Sequence, residues 1–309
     1  MNNFLTQSRF QFSTGLLTVV LFMLVSACGP GTPAATGGKL RVLATTSIVG
    51  DVVSQVGGDL IALSVLMPVG TDPHDFQPRP QDATALADAQ VLFSNGAGLE
   101  GFLQPLLEST GAMANLVEVS AGVTLLPLPG SDQSTGDPHT WMDPNNVIIW
   151  TQNIAAALST ADPAHATDYR ANADVYVASL RDLDTWIRSE VVQIPLQNRL
   201  LVADHAVLGY FAARYGFTQE GTITGSFSSE AAPSARELAA LEEKIIQSGV
   251  RAVFVSEAVN QTLADQIAGD TGIKSVWIYH ATLSAPGGPA ASYLDFMRYN
   301  VKAIVEALK

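Results

Sequence analysis

Thr71-Asp72-Pro73-His74-Asp75-Phe76 and Gly136-Asp137-Pro138-His139-Thr140-Trp141 are two versions of one phrase, an Asp-Pro-His with an aromatic residue two places beyond the histidine. The chain contains only five histidines, His74, His139, His165, His205 and His280, so two in matching contexts form a pattern. Proline fixes its own φ and forces the residue before it to be extended, so Asp-Pro presents the next side chain from a stiff, non-helical corner. An imidazole held in place before an ion arrives is what a metal site requires. The chemistry expected at these two loops is therefore coordination.

The elements that must carry these loops follow from hydrophobic patterning. Leu40 to Thr45, Ile61 to Met67, Val91 to Ser94 and Asn115 to Val119 read as strands; the first is followed by an apolar-periodic segment through Val56, and Pro80 to Ala89 and Phe102 to Glu108 read as helices. Strands alternating with helices imply parallel βα units. The second Asp-Pro-His follows the loop from Leu125 to Asp137, and Asn145 to Leu158 is again helical. Asp162-Pro163 has the form of a helix start, and Tyr169, Ala173, Tyr176, Leu180, Leu183, Ile187 and Val191 then recur at helical spacing with no glycine or proline before Pro195. That describes one amphipathic helix of about 28 residues, about 42 Å long. Strands resume at Leu200–Ala203, Arg251–Val255 and Lys274–Ile278, and a last helix runs from Ser292 to Leu308. A long rod between two similar α/β lobes is the architecture expected. His205 and His280 each stand just past a strand of the second lobe, where open α/β sheets bind ligands. His165, in the first turn of the long helix, is expected to be merely solvated.

The N-terminus sets the compartment. Residues 1–27 hold one basic residue, Arg9, no acidic residue, and the apolar run Leu16 to Val25, which is short for a membrane span and suits a signal-peptide core. It ends at Val25-Ser26-Ala27-Cys28, which resembles a lipobox. Cys28 is the only cysteine, so it forms no internal disulfide and is expected to be an acyl anchor. The Gly-, Pro- and Thr-rich stretch that follows reads as a tether. The divisions expected are a signal peptide at 1–27, a tether at 28–38, a first lobe at 39–162, a linking helix at 163–193 and a second lobe at 194–309. A net charge of −13 argues against nucleic acid and against electrostatic adhesion to anionic lipid.

With these residues in place, the chain resembles the zinc- and manganese-specific substrate-binding lipoproteins of bacterial ABC importers, the cluster A-I or cluster 9 family, over essentially its whole mature length. The resemblance is carried by Gly70 to His74, Asp137 to Pro144, Asp204-His205-Ala206-Val207-Leu208-Gly209-Tyr210-Phe211, Ala232-Pro233-Ser234, Ser256-Glu257 and Ser292 to Asn300. It implies two βα lobes with parallel-type sheets, one rigid connecting helix, and a single ion in the cleft between the lobes. It implies His74 and His139 as ligands from the first lobe and His205 from the second. It also implies a monomer tethered by its lipidated N-terminus to the outer face of the cytoplasmic membrane, at the cell surface or in the periplasm, serving a membrane permease.

The fourth ligand departs from the family pattern. Where the family commonly has an aspartate, this chain has Ala281, in Tyr279-His280-Ala281-Thr282-Leu283-Ser284, and alanine cannot coordinate. His280 is favoured as its replacement, at the cost of a local backbone change; Glu257, Glu230 or water are the alternatives. Three or four imidazoles suit Zn2+, whereas Mn2+, the alternative, prefers more carboxylate oxygen. Binding is expected to fade as pH falls through about 6, as imidazoles gain protons. Two rival classes share parts of this description. A surface adhesin or metal-storage lipoprotein needs the anchor and the site but no transporter. A zinc hydrolase needs three histidines and an open position, but the sequence has no His-Glu-x-x-His and no Gly-x-Ser-x-Gly, so the chain is expected not to be an enzyme.

Overall fold

The structure is a computed structural model that describes residues 38–111, 116–127, 136–224, 233–256 and 261–309. The segments expected to be a signal peptide and a tether, with Cys28, lie outside the described residues up to residue 37, as do Glu230 and Glu257.

The first lobe is built on β1 (Leu40–Ala44), β2 (Ile61–Val65), β3 (Val91–Ser94) and β4 (Leu116–Glu118), all parallel, in the order β2-β1-β3-β4. Helices α1 (Ser47–Gly57), α2 (Pro80–Asp88) and α3 (Leu103–Thr110) connect them. The second lobe repeats the plan. Its strands β5 (Leu200–Ala203), β6 (Thr218–Thr222), β7 (Ala252–Val255) and β8 (Lys274–Trp277) are parallel in the order β6-β5-β7-β8. Between the two sheets run α4 (Pro144–Ala161) and α5 (Ala166–Val191); the second lobe adds α6 (Gly209–Tyr215), α7 (Ala235–Ser248), α8 (Gln261–Thr271) and α9 (Tyr293–Leu308). Central strands are buried along their length, as expected of apolar runs covered on both faces. β6 escapes sequence patterning because Thr218-Gln219-Glu220-Gly221-Thr222 is polar and pairs on one side only.

The long helix differs from expectation at its start. Pro163–His165 form a 3-10 turn and the α-helix begins at Ala166. The Asp162 carboxylate is engaged by side chains as well: its Oδ2 accepts from His165 Nδ1 at 2.6 Å and from the Tyr169 hydroxyl at 2.9 Å. His165 is therefore paired, not merely solvated. Proline at the first position favours the tighter turn, and the carboxylate finds side-chain donors one turn on. The 26 residues of α5 span about 39 Å. Its buried stripe is the one the spacing predicts, with Val177 added.

α5 packs on α4 and α1 from the first lobe and on α9 from the second. One hydrophobic cluster consequently runs from Leu40 and Val42 through Tyr169, Tyr176 and Leu183 to Phe296 and Leu308. Smaller clusters lie behind each sheet, around Leu86 and Leu107 in one lobe and around Val253 and Ile267 in the other. A shared core fixes the two sets of strand ends relative to each other, and loops from both converge on one place. Among the described residues, no helix is long and apolar enough to cross a membrane.

Candidate metal centre

Four loops reach this place. His74 follows β2, His139 precedes α4, His205 follows β5 and His280 follows β8. In three of them an aspartate just ahead of the histidine organises the turn. Asp72 Oδ1 accepts from His74 N at 2.9 Å, Asp137 Oδ1 from His139 N at 2.9 Å, and Asp204 Oδ1 from His205 N at 2.7 Å. Two of these carboxylates also reach the ring, Asp137 Oδ1 to His139 Nδ1 at 2.7 Å and Asp204 Oδ1 to His205 Nδ1 at 2.8 Å. All three aspartates thus shape the corner, and Asp137 and Asp204 also fix the tautomer of their histidine: with Nδ1–H facing the carboxylate, Nε2 keeps its lone pair. The sequence signal for this role, aspartate one or two places before histidine, was present three times.

The rings then meet. His74 Nε2 lies 3.1 Å from His139 Nε2, and one ring nitrogen each of His74, His139 and His205 lie within 4.8 Å of one another. Zinc–nitrogen bonds of about 2.0–2.1 Å in a tetrahedron place donor atoms about 3.3 Å apart, so three such nitrogens suit one ion. His280 stands beside this group. Its ring centroid is 5.4 Å from that of His205, and with His205 and Asp204 it makes a second cluster within the same 4.8 Å limit. The His280 carbonyl accepts from Trp141 Nε1 at 2.8 Å, and the ring is buried. His205 Nε2 and both His280 nitrogens are buried with no hydrogen-bond partner among the described residues, and such atoms call for a ligand or a reason.

Residues given no role in the site from sequence hold these loops. The Tyr210 hydroxyl, from the second lobe, donates to the Asp137 carbonyl at 2.7 Å, and Asn95 Nδ2 donates to the Pro138 carbonyl at 3.1 Å. Trp141, two places past His139, packs edge-on to that ring at 5.2 Å while bonding the His280 loop. Its counterpart Phe76 instead packs on Phe102, away from the site. No single-residue signal marks Tyr210 or Asn95, since their partners are distant in sequence.

Electrostatics divide the histidines. Burial, and then the neighbouring His139, push the His74 pKa down to about 3. Burial lowers His139 as well, against the pull of Asp137. For His205, burial also favours the neutral ring, but the Asp204 carboxylate overrides it and the pKa is raised. Asp204 is correspondingly held far below the usual carboxylate range: burial opposes ionisation, but His280 and His205 outweigh it. His74 and His139 are thus neutral donors at pH 7, while His205 and Asp204 form a tight pair. His74 is the only one of the four that is not fully buried, so the site opens on its side.

The geometry has close parallels. The profile of the family described as zinc-uptake complex component A, periplasmic, matches residues 42–307. A manganese-binding lipoprotein of Halalkalibacterium halodurans is 32% identical, the match covering 94% of this chain and 96% of the relative. An iron ABC transporter substrate-binding lipoprotein of Streptococcus pyogenes is 31% identical over 93% of this chain and 95% of its own length. Among solved structures, a periplasmic zinc binding protein from Treponema pallidum shares the fold with a TM-score of 0.80 at 23% identity, covering 88% of this chain and 99% of that one.

Proposed function

Because the chain belongs to the family of the periplasmic zinc-uptake component A, we propose that it captures a divalent transition metal ion outside the cytoplasm and hands it to an ABC importer. The observation that carries this is the convergence of His74, His139 and His205, from two lobes, within 4.8 Å. In this role the chain binds and releases its cargo and catalyses nothing. Zinc is the cargo the donors favour: three imidazole nitrogens, with His280 as the fourth, make a borderline nitrogen set. Manganese and iron, named for the relatives, call for harder oxygen donors, and Ala281 supplies none. The partner is a membrane permease. Elemental analysis of the purified protein, followed by transfer of bound zinc to permease-containing vesicles, tests the proposal. Failure to bind any transition ion would sink it.

A pH signature follows from the divided histidines. Below its raised pKa, His205 carries an Nε2 proton that an incoming ion must displace, whereas His74 and His139 carry none near neutrality. Zinc affinity is therefore expected to fall as pH drops through a value above the ordinary 6.5, earlier than unperturbed histidines would give. Calorimetry in buffers of different ionisation enthalpy should find the protons released per ion rising toward about one as pH falls below that value. Release of two or more would mean that His74 and His139 are not held neutral.

The proposal also places the chain on a lipid anchor at Cys28, on the outer face of the cytoplasmic membrane. Cys28→Ser is expected to free the protein from membranes or leave it unprocessed, with zinc affinity unchanged. A diacylated cysteine supplies the two chains that stable anchoring needs. Mass spectrometry of the wild-type protein showing unmodified Cys28, or cleavage elsewhere, would refute it.

A further inference from the structure

Asp204 is fully buried at the end of β5, and its only ion-pair partners among the described residues are two histidines. Oδ1 accepts from His205 N and Nδ1. Oδ2 accepts from Ser256 Oγ at 3.1 Å and Ser256 N at 3.3 Å, and it lies 3.0 Å from His280 Nδ1, close but without hydrogen-bond alignment. These groups sit just beyond β5, β7 and β8, which are neighbours in one sheet. The first lobe gives His139 a carboxylate of its own, Asp137; the second lobe sets one carboxylate against two rings.

The geometry points to Asp204 as the positioning residue of the second half-site, one carboxylate that orients both His205 and His280 and thereby sets the preference for zinc over manganese. A carboxylate facing Nδ1 of each ring leaves each Nε2 as the atom free to face a cation, and neither Nε2 has a partner among the described residues. The inference rests on the cargo role proposed above. Two oriented imidazoles from this lobe complete a nitrogen-rich donor set, which favours zinc; a manganese ion, relying more on oxygen and water, depends less on both rings being fixed. A purely structural Asp204, holding the ends of β5 and β7 together through Ser256, would affect both ions alike.

The test is competitive titration of zinc and manganese against the wild type, Asp204→Asn, His280→Ala and the double variant. Asp204→Asn is expected to weaken zinc by at least about tenfold, as loss of an outer-shell partner does, and manganese by less, so that the selectivity ratio falls. The same substitution should cost less zinc affinity when His280 is already alanine, because one of its two rings is gone. Equal factors for both ions, or strict additivity with His280→Ala, would overturn the inference. Histidine 15N spectra of the unaltered protein decide the matter if Asp204→Asn fails to fold: Nδ1–H tautomers are expected on His205 and His280 in the zinc complex, and Nε2–H on His280 would overturn it. A wild type that binds no transition ion at all would instead refute the transport role, leaving the tautomers of the metal-free protein to judge Asp204 separately.

Discussion

His139→Ala should abolish metal capture while leaving a folded protein. The ring is completely buried, its Nε2 lies 3.1 Å from His74 Nε2, and it belongs to the three-nitrogen group drawn from both lobes. Removing it deletes a donor, so the loss should exceed the roughly 10–100-fold that an outer-shell change costs. The corner that carries it should persist. Asp137 Oδ1 also accepts from the residue's own backbone N–H, Tyr210 bonds the Asp137 carbonyl, and Asn95 bonds the Pro138 carbonyl; none of these needs the ring. His165→Ala is the matched control, since that histidine sits beside Asp162 at the start of the long helix. Zinc titration of the two variants should give near-complete loss for one and wild-type affinity for the other. An unimpaired His139→Ala protein would remove the first lobe's central donor and with it the site as drawn.

The parts of this molecule that sequence revealed are those whose physics is local. The stripe of α5 was legible because its residues share one face at a fixed period, and β1, β3, β5 and β7 because they are buried runs bounded by turns. The two Asp-Pro-His corners were legible because proline acts on its immediate neighbours. What was hidden is non-local. The Trp141 bond to the His280 loop joins residues 139 positions apart, and the Tyr210 bond to Asp137 joins residues 73 apart. Such pairs leave no periodicity. The polar edge strand β6 was missed for a related reason: its place is set by pairing with β5, not by its own composition. The dual role of Asp204 was also invisible, since its approach to His280 exists only once β5 and β8 lie in the same sheet.

His280→Ala should weaken zinc binding markedly, and adding Ala281→Asp in that background should restore part of the affinity while shifting preference toward manganese. The loop is suited to such an exchange. Trp141 Nε1 holds the His280 carbonyl, the Gly70 N–H donates to Thr282 Oγ1 at 3.0 Å, and Ser47 Oγ accepts from the Leu283 N–H at 3.0 Å. The backbone on both sides of residue 281 is therefore pinned to the first lobe, and neither substitution touches those bonds. Replacing imidazole by carboxylate changes the donor from a borderline nitrogen to a hard oxygen, which moves the balance from zinc toward manganese. Thermal melts should report the same order, since an ion that binds only the folded chain stabilises it in proportion to the logarithm of its concentration over Kd. Equal zinc affinities for the wild type and His280→Ala would exclude His280 as the fourth donor and leave Glu257, Glu230 or water to complete the set.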